Sequence, residues 1–164
     1  MTLRDHLRRG LRLVFVGFNP GLHSARVGHY YAGRGNQFWR LLYEAGLIPR
    51  PLTYSDDSRL LDFGFGLTDI VKRPTRGTDG LTKADFRDGR VRLREKIRQY
   101  RPFGVAFVGK GVYEKFTGSK VSLGPQTMRV EGARIFILPS TSGVNTTLTR
   151  REKLGYFRQL LGWL

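Results

Sequence analysis

Apolar residues in this chain fall into short solid runs, separated by stretches in which they recur at helical spacing. Leu11 to Val16, Phe103 to Val108 and Ile135 to Leu138 read as buried strands, with a weaker fourth from Phe65 to Val71. Asn36 is placed to cap a helix whose Phe38, Leu41, Leu42 and Ala45 share a face and which stops at Gly46. Thr82 and Asp85 make a capping-box pattern ahead of a helix that buries Phe86, Leu93, Ile97 and Tyr100. Thr149 and Glu152 repeat it before a stripe of Leu154, Phe157, Leu160, Leu161 and Leu164. Strands alternating with helices predict an α/β fold, a single three-layer α/β/α domain over residues 1–164 with a mainly parallel central sheet. Residues 1–10, with Arg4, Arg8 and Arg9, are expected to form a flexible basic N-terminus.

Charge narrows the class of partner. Lys and Arg number 29 against 13 Asp and Glu, a formal charge of +16, which favours a polyanion because each neutralised phosphate releases condensed counterions. The basic residues of the second helix, among them Arg87, Arg92 and Arg94, read as a solvated surface. The absence of cysteine excludes disulfides, thiolate zinc sites and cysteine-ligated clusters. Three histidines with no carboxylate cluster at ligand spacing leave no expected metal or cofactor, and His23 and His29 read as solvated loop residues. No run approaches the roughly 18 apolar residues of a membrane span, so a soluble, intracellular protein near DNA, in nucleoid or nucleus, is expected.

In a parallel sheet, loops leaving the carboxyl ends of strands gather at one edge, so Gly17–Gly21 and Pro139–Asn145 should face one cleft. Asn19 stands on the first of these loops. A neutral amide positions a water rather than deprotonating it, though an Asx-turn is the structural alternative. Lys110 after Gly109 lacks the spacing of a P-loop.

Gly17-Phe18-Asn19-Pro20-Gly21-Leu22 followed by Gly28 to Trp39 resembles the mismatch-specific uracil-DNA glycosylases and their thymine-DNA glycosylase relatives, within the uracil-DNA glycosylase superfamily. Leu67 to Thr75 and Pro139 to Gly143 are similar to that family's middle and closing motifs. The resemblance implies removal of uracil, and of thymine or other modified pyrimidines, mispaired with guanine in double-stranded DNA by a monomeric enzyme. The base would be flipped into a pocket and released by water attack.

By the same resemblance Asn19 positions the water and Tyr31 stacks on the flipped base. Backbone N–H groups near Phe18, Gly21 and Tyr31 would meet the carbonyl oxygens of the departing pyrimidine, and Ser24 with Ala25 would shape the pocket near its five-position. Ser142, Gly143, Val144 and Asn145 correspond to the loop that wedges into the duplex. Val144 is smaller than the Leu common there, and no Arg follows until Arg150, which implies a looser reading of the widowed guanine. Asp69 departs from the family pattern. It is either a second catalytic group that activates water or a turn cap or salt-bridge partner. No lysine is placed by motif for a Schiff base, so strand cleavage should not accompany base loss. Two other readings are a noncatalytic nucleic-acid-binding damage sensor and a small-molecule hydrolase or nucleotide-binding α/β enzyme, the last of which has no need of the +16 charge.

Overall fold

The computed structural model describes residues 3–164. Five strands, β1 (Leu13–Gly17), β2 (Phe65–Asp69), β3 (Gly104–Val108), β4 (Gly124–Val130) and β5 (Ala133–Leu138), form one sheet in the order β2-β1-β3-β5-β4. Neighbours pair in parallel except β4, which runs antiparallel to β5. The helices are α1 (Leu22–Val27), α2 (Phe38–Glu44), α3 (Lys83–Tyr100), α4 (Lys110–Thr117) and α5 (Arg150–Trp163), with a 3-10 helix over Tyr54–Phe63.

Strand alternation divides the interior into two cores. Leu13, Phe15, Ala106, Phe136 and Leu138 face the side covered by α2, α5 and the 3-10 helix. Val14, Val16, Val105, Phe107, Ile135 and Ile137 face the side covered by α3 and α4. Both faces are covered, so the strands read as unbroken apolar runs in sequence. β4 shows no such run. It is an edge strand whose central residues lie largely at the surface, so Gly124-Pro125-Gln126-Thr127-Met128-Arg129-Val130 gives no strand signal.

Both capping boxes form, Thr82 with Asp85 and Thr149 with Glu152. Asn36 Oδ1 accepts from Phe38 N–H at 3.0 Å, one residue ahead of the cap position. Gly89 lets α3 settle on the chain after β2, since a Cβ there would stand 2.2 Å from the Ile70 carbonyl oxygen. The buried stripe of α5 is Lys153, Phe157 and Leu160, while Leu161 is exposed, because the helix meets the sheet one residue off the all-leucine face. Tyr100, at the last turn of α3, is only partly buried.

The expected flexible N-terminus is corrected over residues 3–10; Met1 and Thr2 lie outside the described residues. Leu3 is buried, and His6 and Leu67 exchange backbone hydrogen bonds of 3.0 Å, so the segment caps the free edge of β2. Asp5 anchors it, accepting from Thr68 Oγ1 at 2.7 Å. Composition alone sees the arginines and misses these two anchors.

Candidate active site

The carboxyl ends of β1 and β2 continue to track each other beyond the sheet. Ile70 and Val71 N–H donate to the Gly17 and Phe18 carbonyls at 2.9 Å, and Thr75 N–H to the Pro20 carbonyl at 3.2 Å. This extended pairing carries Asn19 to the mouth of a cleft of about 830 Å³. The Pro139–Asn145 segment, following β5, lines the same cleft.

Asn19 is oriented unambiguously. Its Nδ2 donates to the Arg73 carbonyl at 2.7 Å and to Thr75 Oγ1 at 2.8 Å, and Thr75 Oγ1 in turn donates to the Gly77 carbonyl at 2.7 Å. A carbonyl oxygen only accepts, so the amino end is assigned and Oδ1 is left, among the described residues, as a free acceptor at the cleft. The side chain bonds to a distant loop rather than to its own turn, which disfavours the Asx-turn.

Asp69 ends β2 in register with Gly17, and it is 5% exposed. Burial pushes its carboxyl up to about 6, against the opposing pull of Lys72. Asp69 Oδ2 has no hydrogen-bond partner among the described residues, and Lys72 Nζ stands 3.8 Å away. Among the described residues its side chain accepts no capping hydrogen bond from a backbone N–H, and the ion pair is long. Gly17 leaves room for both groups: a Cβ on it would lie 2.9 Å from Asp69 Oδ1 and 3.2 Å from the Tyr31 hydroxyl, and one of them would have to shift.

Tyr31 takes a left-handed conformation with φ 54°, costly for a residue with a Cβ. Its surroundings hold it there. Ser24 Oγ accepts from Ala32 N–H at 3.1 Å, Asp57 Oδ2 accepts from Tyr30 N–H at 3.0 Å, and the Trp39 indole donates to the Tyr30 carbonyl at 3.0 Å. The Tyr31 ring stacks on Phe38 with centroids 4.0 Å apart and lines the cleft, while its hydroxyl is buried with no partner among the described residues. Burial holds that hydroxyl neutral.

Ser24 is buried in α1, and its hydroxyl ties the Tyr31 loop. His29 likewise pairs with Asp57 at 3.1 Å and packs on Tyr54, which corrects its reading as solvated. Burial raises the Asp57 carboxyl, but bonds from His6, Tyr30 N–H and His29 outweigh it and hold the group below the usual range.

Phe18 and Gly21 contribute backbone. The Phe18 ring packs toward Gly111 and Phe86, into the second core. A Cβ on Gly21 would meet nothing within 4 Å, so the space beside it belongs to the cleft. Among the described residues, the N–H groups of Phe18, Gly21 and Tyr31 donate to no other backbone group.

The Ser142-Gly143-Val144-Asn145 loop crosses the Gly33–Gln37 loop closely: Gln37 N–H donates to the Thr141 carbonyl at 2.9 Å, and a Cβ on Gly143 would lie 2.7 Å from the Gly35 oxygen. Val144 is 91% exposed at the tip. Lys153, 2% exposed, donates to the Asn145 carbonyl at 2.8 Å and anchors the loop to α5. Thr75, Lys72 and Asp57 were invisible as site residues in sequence because each acts through a long-range contact, and Lys153 because a lysine on an apolar helix stripe gives no signal of the carbonyl it reaches.

Fold and cleft together define an α/β protein whose site lies at the carboxyl edge of a mostly parallel sheet. Residues 5–164 match the family model of the uracil DNA glycosylase superfamily, and the chain belongs to that superfamily. It is also similar to a solution NMR structure from Methanosarcina acetivorans described as a candidate uracil DNA glycosylase. The TM-score is 0.64 at 22% identity, covering 98% of this chain and 97% of that one. At that identity the likeness speaks for the fold.

Proposed function

We propose that the protein is a monofunctional DNA glycosylase that hydrolyses the N-glycosidic bond of uracil, and of thymine or related modified pyrimidines, mispaired with guanine in duplex DNA. The observation that carries this reading is the Asn19 carboxamide, held by Arg73 and Thr75 with its oxygen free at the cleft among the described residues. Superfamily membership supports base excision, and the charge of +16 supports a DNA partner.

The flipped base lies against Tyr31, and Val144 fills the space it leaves. As the C1′–N1 bond breaks, its electron pair leaves with the base. The N–H groups of Phe18, Gly21 and Tyr31 stabilise the negative charge on the base oxygens. Water held by Asn19 Oδ1 forms the new C1′–O bond, and ionised Asp69 takes its proton. The enzyme acts as an intracellular monomer, one domain serving the whole reaction.

Excess protein is incubated with a duplex containing a single uracil opposite guanine, then treated with alkali. Breakage at the uracil, absent with Asn19→Ala, supports the proposal. An intact strand indicates a noncatalytic damage sensor instead. Binding should weaken with salt at a log-log slope of about −0.9 per phosphate contact.

A further inference from the structure

Two lysines and two carboxylates meet beneath the cleft, and they are not shared evenly. Asp5 lies 2.5 Å from Lys72 Nζ and 2.7 Å from Lys96 Nζ, and it also accepts from Thr68 Oγ1 at 2.7 Å. Asp69, the neighbour of Thr68 in β2, stays 3.8 Å from Lys72 Nζ, and its Oδ2 is buried with no hydrogen-bond partner among the described residues. Lys72 spends a further donor on the Tyr30 hydroxyl at 2.9 Å. An ammonium placed between two carboxylates settles on the one with the better geometry, and here that carboxylate belongs to the N-terminal segment.

We infer that Asp5 is a positioning residue of the site: by holding Lys72 and Lys96 on its own carboxylate, it keeps Asp69 without an ammonium partner at hydrogen-bond distance, as a group able to take a proton. The N-terminal segment thereby becomes part of the active site without touching substrate through Asp5. Burial raises the Asp5 carboxyl, but Lys72, Lys96 and Thr68 outweigh it and hold the group below the usual range, so it remains charged. The groups that bear on Asp69 are Lys72 from the following loop, Lys96 from α3, Asp5 from the N-terminal segment, and the neutral hydroxyls of Tyr30 and Tyr31. In Asp5→Asn the competing charge is gone and Lys72 moves onto Asp69, whose carboxyl then ionises more readily. In Lys72→Met the attracting cation is lost and the shift reverses.

The inference rests on the proposed role of Asp69, and its test separates the two. The Asp69 carboxyl carbon is followed by NMR across pH in wild type, Asp5→Asn and Lys72→Met, assigned by its absence in Asp69→Asn. The expected result is a midpoint lowered by about 1 pH unit in Asp5→Asn and raised in Lys72→Met, with the acid limb of uracil excision moving the same way. A midpoint unchanged or raised in Asp5→Asn, or not raised in Lys72→Met, overturns the inference. Asp5→Ser, which also accepts from Thr68, serves if asparagine impairs folding. An excision rate unaltered by Asp69→Asn removes Asp69 from the chemistry, while the NMR midpoints still decide the role of Asp5.

Discussion

Asn19 and Thr75, fifty-six residues apart, share a 2.8 Å hydrogen bond in which the amide donates and the hydroxyl accepts. The hydroxyl proton is committed to the Gly77 carbonyl, so the bond has one polarity. Asn19→Ala is expected to slow uracil excision by about 100-fold or more in single-turnover assays. Asn19→Asp places an oxygen against the Arg73 carbonyl, and it should lower stability by roughly 1–3 kcal/mol as well as activity. Thermal melting beside the excision assay distinguishes the two effects. Thr75→Val should lower activity with the Asn19 backbone intact.

Asp69 makes a pH prediction whose sign follows from burial. Its carboxyl titrates near 3.8 when free and is pushed up to about 6 in the folded protein, so folding favours the protonated form. The unfavourable contribution of the buried charge is absent below pH 3.8, grows through 6 and is complete above it. Asp69→Asn should therefore be more stable than wild type at pH 7, by roughly 2–3 kcal/mol, with the gap closing as pH falls toward 4. Denaturant melts at the two pH values check this.

Excision by wild type should rise with pH through about 6 if Asp69 takes the water proton, whereas Asp69→Asn should be slower and flat across that range. Equal rates for the two proteins at pH 8 would exclude the carboxylate from the reaction.

Val144 touches little in the free protein, being 91% exposed, so Val144→Ala should alter stability by no more than about 0.5 kcal/mol. If it serves as the wedge, excision from duplex DNA should fall while excision from a single strand is unaffected. Gly143→Ala forces a contact with the Gly35 carbonyl and should disturb the same loop with a measurable loss of stability.

Tyr31 offers a separation of ring from hydroxyl. Its hydroxyl is buried with no partner among the described residues, so Tyr31→Phe should raise stability by about 1 kcal/mol and keep excision within a few-fold of wild type. Tyr31→Ala removes the stacking surface and should weaken half-saturation by uracil duplex by roughly 1–3 kcal/mol.

The parallel sheet, its three inner strands and the capped starts of α3 and α5 are local properties, legible because buried strands are uniformly apolar and capping boxes close within four residues. The Gly17–Gly21 loop was also legible, since a turn at a strand end must carry Gly and Pro. The ragged edge strand β4 left no pattern, because residues half in solvent tolerate polar side chains. Tertiary structure alone decided which way the Asn19 amide faces, that Asp69 is buried with Oδ2 lacking a hydrogen-bond partner among the described residues, and that a basic N-terminus closes the β2 edge through Asp5. Each depends on a partner tens of residues away, and sequence spacing holds no record of which distant hydroxyl, carbonyl or ammonium will arrive beside a given side chain.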